Sequence, residues 1–302
     1  MNGFSAPYPA PAKLNLMLRV VGRRADGYHL LQTVFRFIDH GDSLRFRVRD
    51  DGVVARVNEI DGVPANDDLS VRAARLLQQH TGTPLGADIE LEKRLPLGGG
   101  LGGGSSDAAT TLLALNVLWK TAVSKVQLID LAVKIGADVP VFIFGENALA
   151  EGIGEQLQAL TLPPAWYVVL CPPVVVPTAT VFSHPDLKRD AQKVTIQGFS
   201  AAVSGESVAV DEAFFVNDLQ PLVVRLYPEV ARHLAWLSNH VTLPNKALMT
   251  VSGACVFAPF ESEAEAQRVV SQLPVDMAGF VAQGLQRHPL YGLGLQEYKG
   301  SI

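Results

Sequence analysis

Residues 94–116, RLPLGGGLGGGSSDAATTLLALN, hold six glycines, two serines and an aspartate just ahead of a helical run. Glycine in regular structure costs roughly 0.5–1 kcal/mol relative to alanine, so a stretch this dense needs a reason. Bare main chain can approach a ligand closely. A helix starting near Ser105 would add unpaired N–H groups and the positive end of its dipole, which together favour an anion such as phosphate. Two other stretches carry reactive side chains. In KIGADVPVF, Asp138 stands before Val139-Pro140, where a helix cap and a working carboxylate are equally good readings. In PAKLNL, Lys13 and Asn15 are two apart and share one side of a strand.

Three readings compete for the glycines. A mobile linker does not usually lead from a strand straight into a helix. A dinucleotide fold is suggested by Gly98, Gly100 and Gly103, which satisfy G-x-G-x-x-G, but that fold wants a second strand ending in an acid about 20 residues on. Asp130 is the candidate, and Val126, Ile129, Ala132 and Val133 around it keep helical spacing. No G-x-x-x-x-G-K-[ST] occurs, so the phosphate site is not a Walker loop.

The elements that must position these residues follow from periodicity. Leu14, Leu16, Leu18 and Val20 alternate with Lys13, Asn15, Met17 and Arg19, which predicts a strand with one buried face. LQTVFRFI, a turn at DHGD, and SLRFRVR predict an antiparallel meander in which Arg45, Arg47 and Arg49 face outward. DDLSVRAARLLQQH reads as a helix and ADIELEKRL as a strand. After the glycines, Ala108, Leu112, Leu115 and Trp119 predict an amphipathic helix, and Ser124 caps another that stops at Gly136. Beyond LTLPPAW come a strand, a Ser/Gly/Asp-rich segment, one long helix over NDLQPLVVRLYPEVARHLAWLSNH, strands near 247–258, a helix at 262–273 and a strand at 278–283. This order suits an α+β fold of two domains, 1–162 and 163–302, each with helices against an antiparallel sheet.

Composition narrows the function classes. The 302 residues are 48% hydrophobic and 18% charged, which excludes disordered and fibrous classes. A net charge of -5 supplies no field to draw nucleic acid or an anionic membrane, and the arginine ladder is the only hint of a nucleic-acid-binding module. Cys171 and Cys255, far apart in sequence, make neither a disulfide framework nor a zinc site. The start lacks the basic head and apolar stretch of a signal peptide, and no segment reaches the ~18 apolar residues of a membrane span. A cytoplasmic protein is expected.

The residues also carry a resemblance. PLGGGLGGGSSDAA is similar to the phosphate loop of the galactokinase, homoserine kinase, mevalonate kinase and phosphomevalonate kinase superfamily. PAKLNLMLRVVGRRADGYHLLQTVF, GADVPVF and SGACVF resemble, more narrowly, the branch that phosphorylates 4-diphosphocytidyl-2-C-methyl-D-erythritol, and the similarity spans nearly the whole chain. It implies a two-domain fold with an N-terminal α+β and a C-terminal ferredoxin-like domain. The implied activity is ATP-dependent, Mg2+-assisted phosphorylation of a small-molecule polyol in the non-mevalonate route to isoprenoid precursors, by a monomer or weak homodimer. Sister kinases acting on mevalonate, homoserine or a sugar are the alternative.

By that match Asp138 is the catalytic base and Lys13 the cation beside it. Lys93, Pro96, Leu97, Gly98, Gly99, Gly100, Leu101, Gly102, Gly103, Gly104, Ser105 and Ser106 bind ATP, with the two serines also capping the helix, and a side chain on Gly102 would stand where phosphate lies. Asn15, Tyr28, His29 and Thr178 bind the acceptor, Tyr28 stacking on cytosine and His29 meeting the pyrimidine edge. Asp107 would repel phosphate unless magnesium intervenes. One departure stands out. The third motif, with two glycines around a small hydroxyl residue, reads Thr250-Val251-Ser252-Gly253-Ala254 here. Valine resists positive φ, so a rebuilt loop or reduced activity is expected.

Overall fold

The computed structural model describes residues 3–204, 214–242 and 245–293. The alternation beginning at Leu14 lies in β1 (Tyr8–Arg23), which is buried on both faces from Ala10 to Leu18 rather than on one. Its side chains feed all three hydrophobic clusters of the protein, Ala10 the first, Leu14 and Met17 the third, and Leu18 and Val20 the second. The polar side expected for Lys13 and Asn15 is therefore interior, with 0% and 2% exposure.

The meander is also different. DHGD makes no turn; it lies inside one continuous strand, β2 (His29–Arg49), paired antiparallel with β1 from Tyr8↔Leu44 to Arg23↔His29. The register shifts between Pro11 and Ala12, opposite this segment. Gly41 permits the passage, because a Cβ there would lie 2.2 Å from the Ala10 carbonyl oxygen and 2.6 Å from Pro11 Cα.

β3 (Val54–Arg56) precedes α1 (Leu69–Thr81), capped by the Asp68 carboxylate on the Ser70 N–H. β4 (Gly86–Glu92) pairs with β2 and sets Asp88 and Glu90 beside the arginine ladder. Arg47 and Arg49 both ion-pair with Asp88, and Arg45 lies 3.7 Å from Glu90. The ladder is thus matched by acids of its own sheet.

α2 (Gly103–Leu118) begins two residues before Ser105, and it is buried continuously from Ser106 to Asn116 instead of amphipathic. It is the central helix. α3 (Lys125–Ile135) carries the full capping box of Ser124 and Gln127 and ends at Gly136; the short α4 (Val139–Phe144) follows. β5 (Ala148–Gly152) joins β2, and β6 (Gln156–Ala159) pairs with β5.

In the second half, β7 (Trp166–Leu170) leads to α5 (Thr178–Ser183) and α6 (Ile196–Ser204). The Ser/Gly/Asp-rich segment falls partly on 205–213, outside the described residues. The single long helix expected after it is two, α7 (Gln220–Leu226) and α8 (Pro228–Ser238). Pro228 has no N–H for the helical ladder and forces Tyr227 out of helical geometry, at φ -125° and ψ 90°. β8 (Leu248–Met249), β9 (Val256–Phe260), α9 (Glu263–Val270) and β10 (Gly279–Leu285) complete the chain. β10 joins the halves, pairing with β7 along Gly279↔Leu170 to Gln283↔Trp166 and with β2 at Leu285↔Phe37. Among the described residues no helix is long and apolar enough to cross a membrane.

Gly41 makes a testable point of the long strand. Gly41→Ala should lower unfolding stability by about 1–3 kcal/mol, since the added methyl has only backbone to displace; a denaturant midpoint unchanged from the parent would show that β1 and β2 part easily here.

Candidate active site

β4 delivers the chain into the glycine loop, and α2 receives it. The loop's carbonyls are turned into the protein: Gly99 O accepts from Cys255 N (3.1 Å), Leu101 O from Lys13 N (2.9 Å), and Gly100 O from the Lys13 ammonium (3.0 Å) and the Thr250 hydroxyl (3.2 Å). The opposite edge of the loop borders a cavity of about 400 Å3, lined by residues 96–105. Gly102 is the N-cap and no side chain caps the helix, so the first amides of α2 keep the free N–H groups that every helix start presents. Ser105 lines the cavity, whereas Ser106 is fully buried, and neither serves as the cap expected of it.

Gly102 has a structural reason for its bareness. It adopts φ +74°, and a Cβ there would sit 3.1 Å from Lys13 Cγ and Cε and from Phe142 Cζ. A side chain would press on the lysine stem as well as strain the backbone.

The Lys13 ammonium is fully buried and has three partners: Asn15 Oδ1 at 2.7 Å, Gly100 O at 3.0 Å and Asp138 Oδ2 at 3.2 Å. Three N–H bonds meet three oxygens, which is what a buried ammonium requires. Burial still pulls Lys13 below the ordinary lysine value, and the Asp138 charge offsets only part of that. Asp138 precedes α4 but makes no cap hydrogen bond; its carboxylate turns to Lys13 and is 30% exposed where it lines the cavity.

The direction of the Asn15 amide is set from behind. Thr33 Oγ1 donates its one hydrogen to Met17 O at 2.5 Å, so toward Asn15 it can only accept, and Asn15 Nδ2 donates to it at 2.8 Å. The amide oxygen must then face Lys13 and Thr250, whose hydroxyl lies 3.0 Å away.

Lys93 forms a second charged cluster beside the loop. Its ammonium binds Asp42 and, at 2.9 Å, Asp107. Burial lowers Lys93, but the two carboxylates outweigh it and the ammonium ends above its usual value. Asp42 also accepts from the N–H groups of Arg94 (2.7 Å) and Leu95 (2.9 Å), so the segment read as a turn in fact anchors the entry to the glycine loop. Burial pushes the Asp107 carboxyl up to about 8, against the pull of Lys93.

On the far wall, Thr178 lines the cavity at the start of α5 and hydrogen-bonds Ser252 at 2.7 Å. Val251 also lines it, and contrary to expectation holds φ +49°. That conformation costs an L-residue roughly 1–2 kcal/mol. Asn217 holds it there, donating 2.7 Å bonds to both Met249 O and Val251 O, while Gly253 N closes the turn on Thr250 O. The third loop keeps its turn despite the valine.

Tyr28 and His29 do not line the cavity, and Tyr28 is 62% exposed. Two aromatic residues do, Phe35 and Phe182, and His29 packs on Phe182 with centroids 4.9 Å apart. Arg189 Nε donates to His29 Nε2 at 2.9 Å, which leaves Nδ1 as the protonated nitrogen. Burial, with the charges of Arg189 and Arg23, lowers His29 below its ordinary value.

The fold thus gathers Asn15, Lys93, residues 96–105, Asp138 and Thr178 around one cavity, with Lys13 directly behind Asp138. Thr33, Asp42, Phe182 and Arg189 were not singled out from sequence, and Thr250 was named only as part of the third motif. Thr33 and Phe182 each lie within five residues of a residue that was, His29 and Thr178, which is the one signal available. Among the described residues no group of three or more His, Cys, Asp or Glu side chains is arranged to hold a metal.

Comparison with known proteins identifies the family. The family models described as GHMP kinases N terminal domain and GHMP kinases C terminal match residues 68–146 and 203–277. Relatives named 4-diphosphocytidyl-2-C-methyl-D-erythritol kinase include one from Nitrosospira multiformis, 57% identical over 95% of this chain and 94% of its own, and one from Azoarcus sp., 55% identical over 97% and 99%. A crystal structure of 4-(cytidine 5'-diphospho)-2C-methyl-D-erythritol kinase superposes with a TM-score of 0.76 at 34% identity, covering 92% of this chain and 99% of that one. A homoserine kinase from Cytophaga hutchinsonii shares the fold at 17% identity and a TM-score of 0.68 over 95% and 96%. The chain belongs to the 4-diphosphocytidyl-2-C-methyl-D-erythritol kinase family of the GHMP kinases.

Proposed function

We propose that this protein transfers the γ-phosphoryl group of ATP to the 2-hydroxyl of 4-diphosphocytidyl-2-C-methyl-D-erythritol, giving the 2-phosphate and ADP. The observation that carries the reading is the Asp138–Lys13 pair, a partly exposed carboxylate against a buried ammonium, on the wall of a cavity bordered by a glycine-rich helix start without a side-chain cap. The triphosphate lies against that start, where free amides and the helix dipole favour anions. Asp138 accepts the proton of the acceptor hydroxyl as its oxygen attacks phosphorus. Lys13 holds the carboxylate oriented and stabilises negative charge developing beside it.

A resident protein-held cation does not suit the donors present, whereas one that arrives with the nucleotide does, since magnesium is commonly held by substrate phosphates and water. Ser105 is the cavity hydroxyl at the helix start able to touch it. When bound, the cation would neutralise phosphate charge. On the acceptor side, Phe182 lines the cavity and offers a ring face to the pyrimidine. His29, packed on Phe182 with its Nδ1–H free to donate, and the exposed Tyr28 keep their expected roles at the base edge and as a second stacking face, met where the base extends past the cavity wall.

Measuring ADP release across cytidine-linked methylerythritol, mevalonate, homoserine and galactose should show preference for the first; preference for any other acceptor would move the protein to a sister specificity. Asp138→Asn should lower kcat by at least about 10²-fold with ATP affinity nearly intact, because only the proton acceptor is lost. Turnover close to the parent's would remove Asp138 from that role.

Lys13 gives a pH signature. Activity needs its charged form, so it should fall as pH rises through a Lys13 value that lies below that of an ordinary lysine. Thr33→Val frees the Asn15 amide to turn its NH2 toward the ammonium, and the alkaline limb should move down by about one pH unit while Thr33→Ser restores it. A loss of folded protein with an unmoved limb would reduce Thr33 to a packing role.

A further inference from the structure

The two cysteines, far apart in sequence, are neighbours in the fold. Leu170 of β7 pairs with Val256 of β9, and the next position along that ladder sets Cys171 across from Cys255, with 3.8 Å between the sulfurs. Residues opposed in an antiparallel ladder stand about 4.5–5.5 Å apart at Cα, inside the roughly 4.4–6.8 Å that a disulfide spans. Both thiols are free; Cys255 is buried and Cys171 is partly exposed.

Cys255 also props the glycine loop. Its N–H donates to Gly99 O at 3.1 Å, its carbonyl accepts from Thr250 N at 3.1 Å, and a Cβ on Gly99 would lie only 2.7 Å from its Sγ. Resting on the ATP-binding reading of this loop, we propose that Cys171 and Cys255 are a site of reversible oxidation by hydroperoxides, and that closing their disulfide weakens nucleotide binding by shifting the support under Gly99.

The step balances with hydrogen peroxide as oxidant. The Cys171 thiolate attacks one peroxide oxygen and becomes a sulfenic acid, and the hydroxide expelled takes up the proton Cys171 gave up, forming water. The Cys255 sulfur then attacks the sulfenic sulfur, the S–S bond forms, and the leaving hydroxyl departs as a second water with the Cys255 proton. Two thiols and one peroxide give one disulfide and two waters. The order of attack follows from the pair itself. The hydrogen bond from Cys255 holds Cys171 below the ordinary thiol value, while that same bond and burial raise Cys255, so the exposed sulfur attacks and the buried one resolves.

Closure brings the sulfurs from 3.8 Å to about 2.05 Å. The movement is taken up at the ends of β7 and β9, next to the loop. In a reducing compartment such a bond cycles rather than persists.

The test uses the full chain, reduced and then exposed to hydrogen peroxide. Peptide mapping by mass spectrometry should recover the Cys171 and Cys255 peptides cross-linked, and the Kd for ATP should rise at least about threefold and return on reduction. Cys171→Ser should bind ATP after peroxide as the reduced parent does, and Cys255→Ala should give no cross-link and show the same ATP Kd before and after peroxide. Sulfinic acid on Cys171 without a cross-link, or a cross-link with unchanged ATP affinity, would overturn the proposal. Reduced protein that binds no ATP would instead sink the assignment of the loop, while the cross-link is scored by mass alone.

Discussion

A lysine ammonium sealed from water organises this site. Lys13 has no exposure, and an ammonium in that state is tolerable only if each of its three hydrogens meets an oxygen. The three oxygens come from separate parts of the chain: Asn15 on β1, Gly100 in the glycine loop and Asp138 at the head of α4. Satisfying one charge therefore fixes the distance between the Asp138 carboxylate and the glycine loop. Because removing any one partner would strand a buried charge, the three are bound into one geometry more firmly than surface ion pairs could achieve.

The same demand explains the glycines. The loop turns its carbonyls inward, onto Lys13, Thr250 and the Cys255 N–H, and Gly102 lets the lysine stem pass beneath the start of α2. The third loop closes the arrangement from the other half of the chain. Thr250 bonds both Asn15 and Gly100, so the strained backbone at Val251 is held by contacts that the site uses anyway. A valine can occupy a left-handed position here because Asn217 ties down its carbonyl and that of Met249.

Local signals were legible where the sequence fixes its own boundaries. Ser124 and Gly136 bracket α3 as expected, and the structure adds the Gln127 half of the capping box and the Asp68 cap of α1. Errors arose where tertiary contact overrode local pattern. DHGD has turn composition, yet Asp42 is spent on Lys93 and the N–H groups of Arg94 and Leu95, and the strand runs through. Lys13 and Asn15 sit on the polar phase of β1, and periodicity could not reveal that this phase faces a polar interior rather than water. The helix start at Gly103 was missed because its cap is a left-handed glycine, which carries no side-chain signature. Thr33 was invisible because its importance lies in the direction of a hydrogen bond, a property of three residues together.

Asp107 shows how an acidic chain can hold phosphate. From sequence, a carboxylate within the first turns of α2 should repel the anion unless a cation stands between. The structure supplies another resolution: the group is buried, bonded to Lys93, and has a carboxyl pushed up to about 8. Its charge is offset at contact distance by the Lys93 ammonium, which it shares with Asp42, while the helix start contributes its partial positive charge. A net charge of -5 for the chain and an anion site at its centre are compatible because the field that matters is set within the first turn of one helix and by two paired lysines, not by the total.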